Sequence, residues 1–236
     1  MGEGGLAGRS TMDRDMEIIK AINSDTDNAV RIDAVLAALE VDEDVRIKID
    51  ARFYNTYGAH AFNLVIGSFT QNLIMILMRM HDKKGANRAS LPSLFSMVDT
   101  PDGKEKIKRR ARDWPASKWL GNEKVVLDSL EAGKHEHQKV REDWLINLRE
   151  FRDHTIAHNL FDLRRDNYGN NEKINNVLKH TELVVRHMYL AVAGVDWDPK
   201  ETRRVGYRYG LNYWRTIVGL QEIQFSAHFS DNISPV

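Results

Sequence analysis

The chain has 236 residues, with Lys+Arg and Asp+Glu both at 34 and no cysteine. Balanced charge excludes a global field that would draw the protein onto nucleic acid, so any RNA contact has to come from a local patch. The lack of cysteine excludes disulfides, thiolate chemistry and cysteine-based zinc sites, and suits a reducing cytoplasm.

Five prolines and few alternating β-branched runs predict an all-α protein, read as a single domain over residues 12–225. Residues 1–11 are glycine-rich without an apolar period and read as a flexible tail, lacking the basic start and long apolar run of a signal peptide. The apolar spacing predicts two short helices over 12–22 and 27–40, separated at Ser24-Asp25, which offers caps. Residues 43–82 read as one long helix, or two meeting at Gly58. The run from Phe62 to Met80 reaches the length of a membrane span. Asn63, Ser68, Thr70, Gln71 and Asn72 interrupt it, so a helix buried on nearly all sides of a bundle is expected instead. Arg79, His81 and Asp82 form a polar cluster at its end, and Asp82 is a candidate ion-pair partner for an arginine further along.

Lys83 to Arg88 is a loop. Ser90 caps a short helix through Val98, and Asp99-Thr100-Pro101 starts another that ends at Trp114-Pro115. The latter carries Lys104, Lys106, Lys108, Arg109, Arg110 and Arg112, a basic face suited either to RNA phosphates or simply to solvent. One or two helices fill 122–159. Lys134-His135-Glu136-His137 reads as a solvated segment, since its histidines, two apart, fall on different helix faces. Phe161 to Asn171 is a polar loop, and Glu172 to Val195 an amphipathic helix. A C-terminal helix over 200–224 interleaves Arg203, Arg204, Tyr207, Arg208, Tyr209, Tyr213, Trp214 and Arg215. That pattern fits base stacking or, as the preferred reading, helix docking or dimer packing. Residues 226–236 form an irregular tail.

The segment from Trp144 to Asn159 concentrates the chemistry. At about 100° per residue, Phe151, Trp144, Thr155, Leu148, Leu145 and Ile156 share one sector, with Arg152 inside it and His158 at its edge. Asp153 and Glu150 lie on the opposite side. A guanidinium on a core-facing stripe stays charged and needs a partner: a carboxylate, backbone carbonyls, or an anionic ligand such as phosphate. His154 and His158 are spaced as in a helical zinc pair, but nothing nearby completes a metal set, so neither a metal nor a cofactor is expected.

Arg152-Asp153-His154-Thr155-Ile156-Ala157-His158 resembles the signature of the HEPN superfamily: an arginine, a polar neighbour, and a histidine after four to six intervening residues. Its context, and the stretch Arg79-Met80-His81-Asp82 followed by Ser90-Leu91-Pro92-Ser93-Leu94, resemble the abortive-infection branch of that superfamily. The resemblance implies a HEPN-like helical bundle with extra N- and C-terminal helices, and a homodimer with two motifs facing each other. It also implies metal-independent endoribonuclease chemistry on RNA in a defence or toxin setting, with an antitoxin or defence-system partner. His158 would be the general acid/base and Arg152 the phosphate ligand. Asp153 would orient Arg152 or a histidine, and His154, Asn159, Arg164 and Arg165 would contact substrate. The alternative within the resemblance is a non-catalytic binding or sensor module that dimerises. On a straight helix Arg152 and His158 point about 120° apart. Convergence therefore requires a sideways reach, a helix end near Ala157, or a second subunit.

Overall fold

The structure, a computed structural model, describes residues 14–54, 56–85, 88–114, 123–153 and 171–221. Among these, nine helices and no strand occur: α1 (Arg14–Val41), α2 (Glu43–Phe53), α3 (Tyr57–Met80), α4 (Leu91–Val98), α5 (Pro101–Asp113), α6 (Glu123–Lys139), α7 (Glu142–Phe151), α8 (Asn171–Ala193) and α9 (Pro199–Ile217). The all-α expectation is met. The helices divide into two compact units, one formed by Met1–Thr26 and Ile76–Trp197, the other by Asp27–Met75 and Asp198–Val236.

Several helix ends follow directly from local chemistry. Ser90 accepts from the Ser93 amide, Thr100 from Gly103, Asp42 from Val45 and Asp198 from Lys200, with proline in the first turn of α4, α5 and α9. Each side-chain oxygen satisfies an amide that the helix leaves without a carbonyl, and proline loses nothing where no intrahelical bond is made. Gly194 closes α8 with φ of 70°. A Cβ there would stand 2.6 Å from the Trp114 indole, so both conformation and space require glycine.

Two expectations are corrected. The predicted break at Ser24-Asp25 does not occur, and α1 runs unbroken from Arg14 to Val41. Thr26 Oγ1 donates back to the Ile22 carbonyl at 2.8 Å, and Asp25 turns outward to accept from Arg79 Nε at 2.9 Å. With Thr26 bonded back into its own helix and Asp25 taken by Arg79 of another, neither is left to cap a break. Nor is α3 buried on nearly all sides. Leu73, Ile74, Ile76, Leu77, Met78 and Met80 are buried, whereas Leu64 and Met75 are exposed, on a helix whose Asn63, Ser68 and Asn72 are also exposed. By length and composition α3 is apolar enough to cross a membrane, with 33% of its apolar window buried.

In the first unit α8 packs on α6 and α7, and α5 packs on α4 and α6. Its core includes Leu91, Leu94, Ile107, Leu130, Leu148, Val177, Val184 and Met188. The second unit is built on Trp214 of α9, fully buried among Ala38, Val45, Ile49, Leu211 and Val218. The indole Nε1 donates to the Val35 carbonyl at 2.7 Å, and Phe62 and Phe69 meet the ring edge-on. A buried indole needs such an acceptor for its single polar group. Arg215 donates to Asp42 at 2.7 Å, and Arg203 pairs with Asp33. The aromatic and cationic residues of α9 thus divide between intramolecular docking and, at Tyr209 and Tyr213, exposure.

Candidate functional site

The C-terminal end of α7 presents the candidate site. Leu145, Leu148 and Phe151 are buried and set the rotation of the helix, which places Arg152 at the margin of the buried face. Its side chain is 30% exposed. Arg152 keeps right-handed helical geometry, φ −55° and ψ −50°, and with Asp153 adopts a wider, π-type winding. Such widening changes the direction of side chains relative to a regular α-helix.

Arg152 Nε donates to Asp153 Oδ1 at 2.8 Å. That bond pushes the guanidinium pKa further up, so the group is a permanent cation. Its Nη1 lies 3.9 Å from Asp82 Oδ1, close enough for ion pairing but too long for a hydrogen bond. Asp82, the carboxylate singled out beyond the end of α3, is therefore beside Arg152. One turn back on α7, Arg149 donates to Glu142 at 2.6 Å.

His81, next to Asp82, is 4% exposed. Its Nε2 lies 2.8 Å from Thr181 Oγ1 on α8, and its Nδ1 is buried with no hydrogen-bond partner. The ring stacks on His137 of α6 at 5.6 Å, and His137 in turn meets Phe95 at 5.1 Å. Burial, with smaller contributions from His137 and Arg149, pushes the His81 pKa down to about 3. Burial also lowers that of His137. The expectation that residues 134–137 are a solvated segment holds for exposed His135 but not for the partly buried Lys134, Glu136 and His137. His137 stacks on His81, Glu136 accepts from Lys139 and pairs with His180 at 3.2 Å, and Lys134 pairs with Asp99 at 2.8 Å. His137, partly buried, lies one turn after Gly133, which is buried.

The basic face of α5 is largely neutralised within the protein. Asp15, 3% exposed, accepts from Lys106 at 2.8 Å and from both terminal nitrogens of Arg110 at 2.8 and 2.9 Å. Burial alone would raise the Asp15 pKa, and the bonds from Arg110 and Lys106 outweigh it and hold it low. Lys104 pairs with Asp99 and Glu131, Lys108 with Glu105, and Arg112 with Glu105 and Glu123. Charges committed in this way leave little attraction for phosphate.

Of the predicted site residues, Arg152 and Asp153 are adjacent and hydrogen-bonded. His154, His158, Asn159, Arg164 and Arg165 lie outside the described residues. Among the described residues, no three His, Asp or Glu side chains gather as a metal-binding group. Sequence reasoning missed Thr181 and Arg149. Thr181 is legible only as a polar residue on the apolar stripe of α8, and Arg149 only as a second cation one turn before Arg152.

The chain matches the family model HEPN_AbiU2, described as AbiU2, over residues 26–209. No curated protein and no solved structure matches it.

Proposed function

The chain belongs to the HEPN_AbiU2 family, with the RNA-related role in toxin or defence systems that accompanies the HEPN superfamily, and from that premise we propose that it is a metal-independent endoribonuclease. The observation that carries this reading is the state of Arg152. It is held through Nε by Asp153 and is partly exposed. At its terminal nitrogens stands the 3.9 Å ion-pair contact to Asp82, too long for a hydrogen bond. A guanidinium oriented from one edge, its fork opposed only by the longer contact to Asp82, suits bidentate recognition of a phosphodiester.

In the proposed reaction the 2′-oxygen of a ribose attacks the adjacent phosphorus as a base removes its proton. The P–O2′ bond forms and the P–O5′ bond breaks. A protonated group delivers a proton to O5′, leaving a 2′,3′-cyclic phosphate and a 5′-hydroxyl. His158 serves as base and acid, since an imidazole titrates near neutral pH. Arg152 neutralises the charge that builds on the non-bridging oxygens. Asp153 orients Arg152. His154, Asn159, Arg164 and Arg165 contact the RNA, and a homodimer brings two motifs together. An antitoxin or another component of the defence system would restrain the activity.

The test is incubation of the protein with mixed cellular RNA in EDTA, beside folded Arg152→Ala and His158→Ala variants. Cleavage to cyclic-phosphate ends by the wild type alone supports the reading. Cleavage that survives both substitutions overturns the site. The Asp82 contact favours a second reading, a non-catalytic HEPN-like binding or sensor module that dimerises. On that reading the wild type generates no new RNA ends.

A further inference from the structure

Asp82 and Asp153 flank one guanidinium from opposite ends. Asp153 takes Nε at 2.8 Å as its sequence neighbour. Asp82 faces Nη1 at 3.9 Å from a different helix end. Two carboxylates thus face the guanidinium that a phosphate would have to take. Yet the three groups are accessible, with Asp82 33% and Asp153 61% exposed, so a phosphate can compete for the fork. The two carboxylates differ in what they hold. Asp153 grips the Nε edge, whereas Asp82 stands where a bidentate phosphate would need the terminal nitrogens.

The position of Asp82 is also built rather than incidental. The turn that ends α3 closes with the His81 amide on the Leu77 and Met78 carbonyls and the Asp82 amide on Arg79. His81 is anchored to α8 through Thr181 at 2.8 Å and by its stack on His137. Arg79 is tied to Asp25 through Nε. Neighbours on both sides of Met80 thus pin the backbone from which Asp82 projects.

We propose that Asp82 is a positioning residue that acts on Arg152, holding the guanidinium fork in the unloaded site and competing with phosphate for it. This rests on the reading of Arg152 as the phosphate ligand. Asp82 sets how tightly an anion is taken and keeps the fork aligned for turnover. Removing its charge strengthens anion binding and loosens alignment, two effects of opposite sign that a purely structural carboxylate would not produce.

The experiment follows the Arg152 Nε–H resonance by NMR while inorganic phosphate is titrated into the wild type and into Asp82→Asn, with Arg152→Lys as the control that removes the fork. Phosphate is expected to bind Asp82→Asn about two- to fivefold more tightly than the wild type, the range set by an ion pair at partial exposure. Equal or weaker binding by Asp82→Asn overturns the proposal, as does the absence of any phosphate-dependent shift in both proteins. With RNA, the same variant is expected to lower KM and kcat together, and Asp82→Glu to recover part of kcat. KM and kcat both at wild-type values would also overturn it. A wild type that cuts no RNA defeats the nuclease reading alone, because the phosphate titration decides the role of Asp82 independently of cleavage.

Discussion

His81 Nε2 and Thr181 Oγ1 lie 2.8 Å apart, and a third atom decides which of them donates. Thr181 Oγ1 is also 2.6 Å from the Val177 carbonyl, which can only accept. The single hydroxyl proton therefore goes to Val177, and Thr181 accepts from His81. The imidazole is fixed as the neutral Nε2–H tautomer, with a bare lone pair on Nδ1.

Acid sensitivity follows from that tautomer. The folded pKa of His81 is near 3, against about 6.5 in an unfolded chain. Between these values the unfolded state holds a proton that the folded state refuses, so stability is complete above about pH 6.5 and falls as the pH drops toward 3. For a shift of this size the loss is on the order of 4–5 kcal/mol when complete. His137 and His187, both lowered by burial, act in the same direction. Urea unfolding measured from pH 7 to 4 should show the decline, and His81→Gln should flatten it by about one proton. An unchanged slope in His81→Gln would show that His81 protonates normally in the folded protein.

Asp15 predicts a different kind of failure. It is almost fully buried and receives Lys106 and both terminal nitrogens of Arg110, so Asp15→Ala leaves two cations facing a site built for an anion. Breaking one side of a buried pair costs about 3–5 kcal/mol, and the partial exposure of Lys106 and Arg110 puts the expected loss nearer the lower figure. Lys106→Ala and Arg110→Ala should likewise lower the unfolding midpoint while leaving RNA affinity within about twofold, since these charges are already committed. A large loss of RNA affinity in a fully stable Arg110→Ala would return α5 to the candidate interface.

The basic face of α5 also shows where reading the sequence stops. Six cations on one helix are plain in the sequence, but Asp15, the counter-charge of Lys106 and Arg110, lies far back in the chain, and no local pattern links them. The caps at Ser90 and Thr100 were legible because their chemistry spans three residues. The missing break at Ser24-Asp25 was not, because Asp25 is satisfied by Arg79 from another helix. At the candidate site, Arg152 stood out as a cation on an apolar stripe, and Asp82 was identifiable as a carboxylate at a helix end. The His81, His137 and Thr181 cluster was hidden. Histidine in a polar stretch gives no sign of burial until the neighbouring helices are in place.

Gly210 matters more to the fold than the aromatic and basic residues around it suggest. Gly206, Gly210 and Trp214 recur at four-residue spacing and so share one face of α9. A Cβ on Gly210 would come within 2.6 Å of the Val35 Cα and 3.2 Å of the Val35 carbonyl oxygen, the same carbonyl that accepts from Trp214. The obstacle is backbone, so Gly210→Ala can be accommodated only by separating α9 from α1, weakening the indole hydrogen bond as it does so. Overpacking of this kind costs about 1–3 kcal/mol, against a gain of about 1 kcal/mol from replacing glycine in a helix. Gly133 on α6 is the control. A Cβ there would meet the Met188 sulfur at 3.0 Å and its Cγ at 3.2 Å, and a thioether side chain can give way. Thermal unfolding should place Gly210→Ala below the wild type and Gly133→Ala at or slightly above it. A Gly210→Ala protein as stable as the wild type would mean that α9 does not approach α1 as closely as Val35 and Trp214 require.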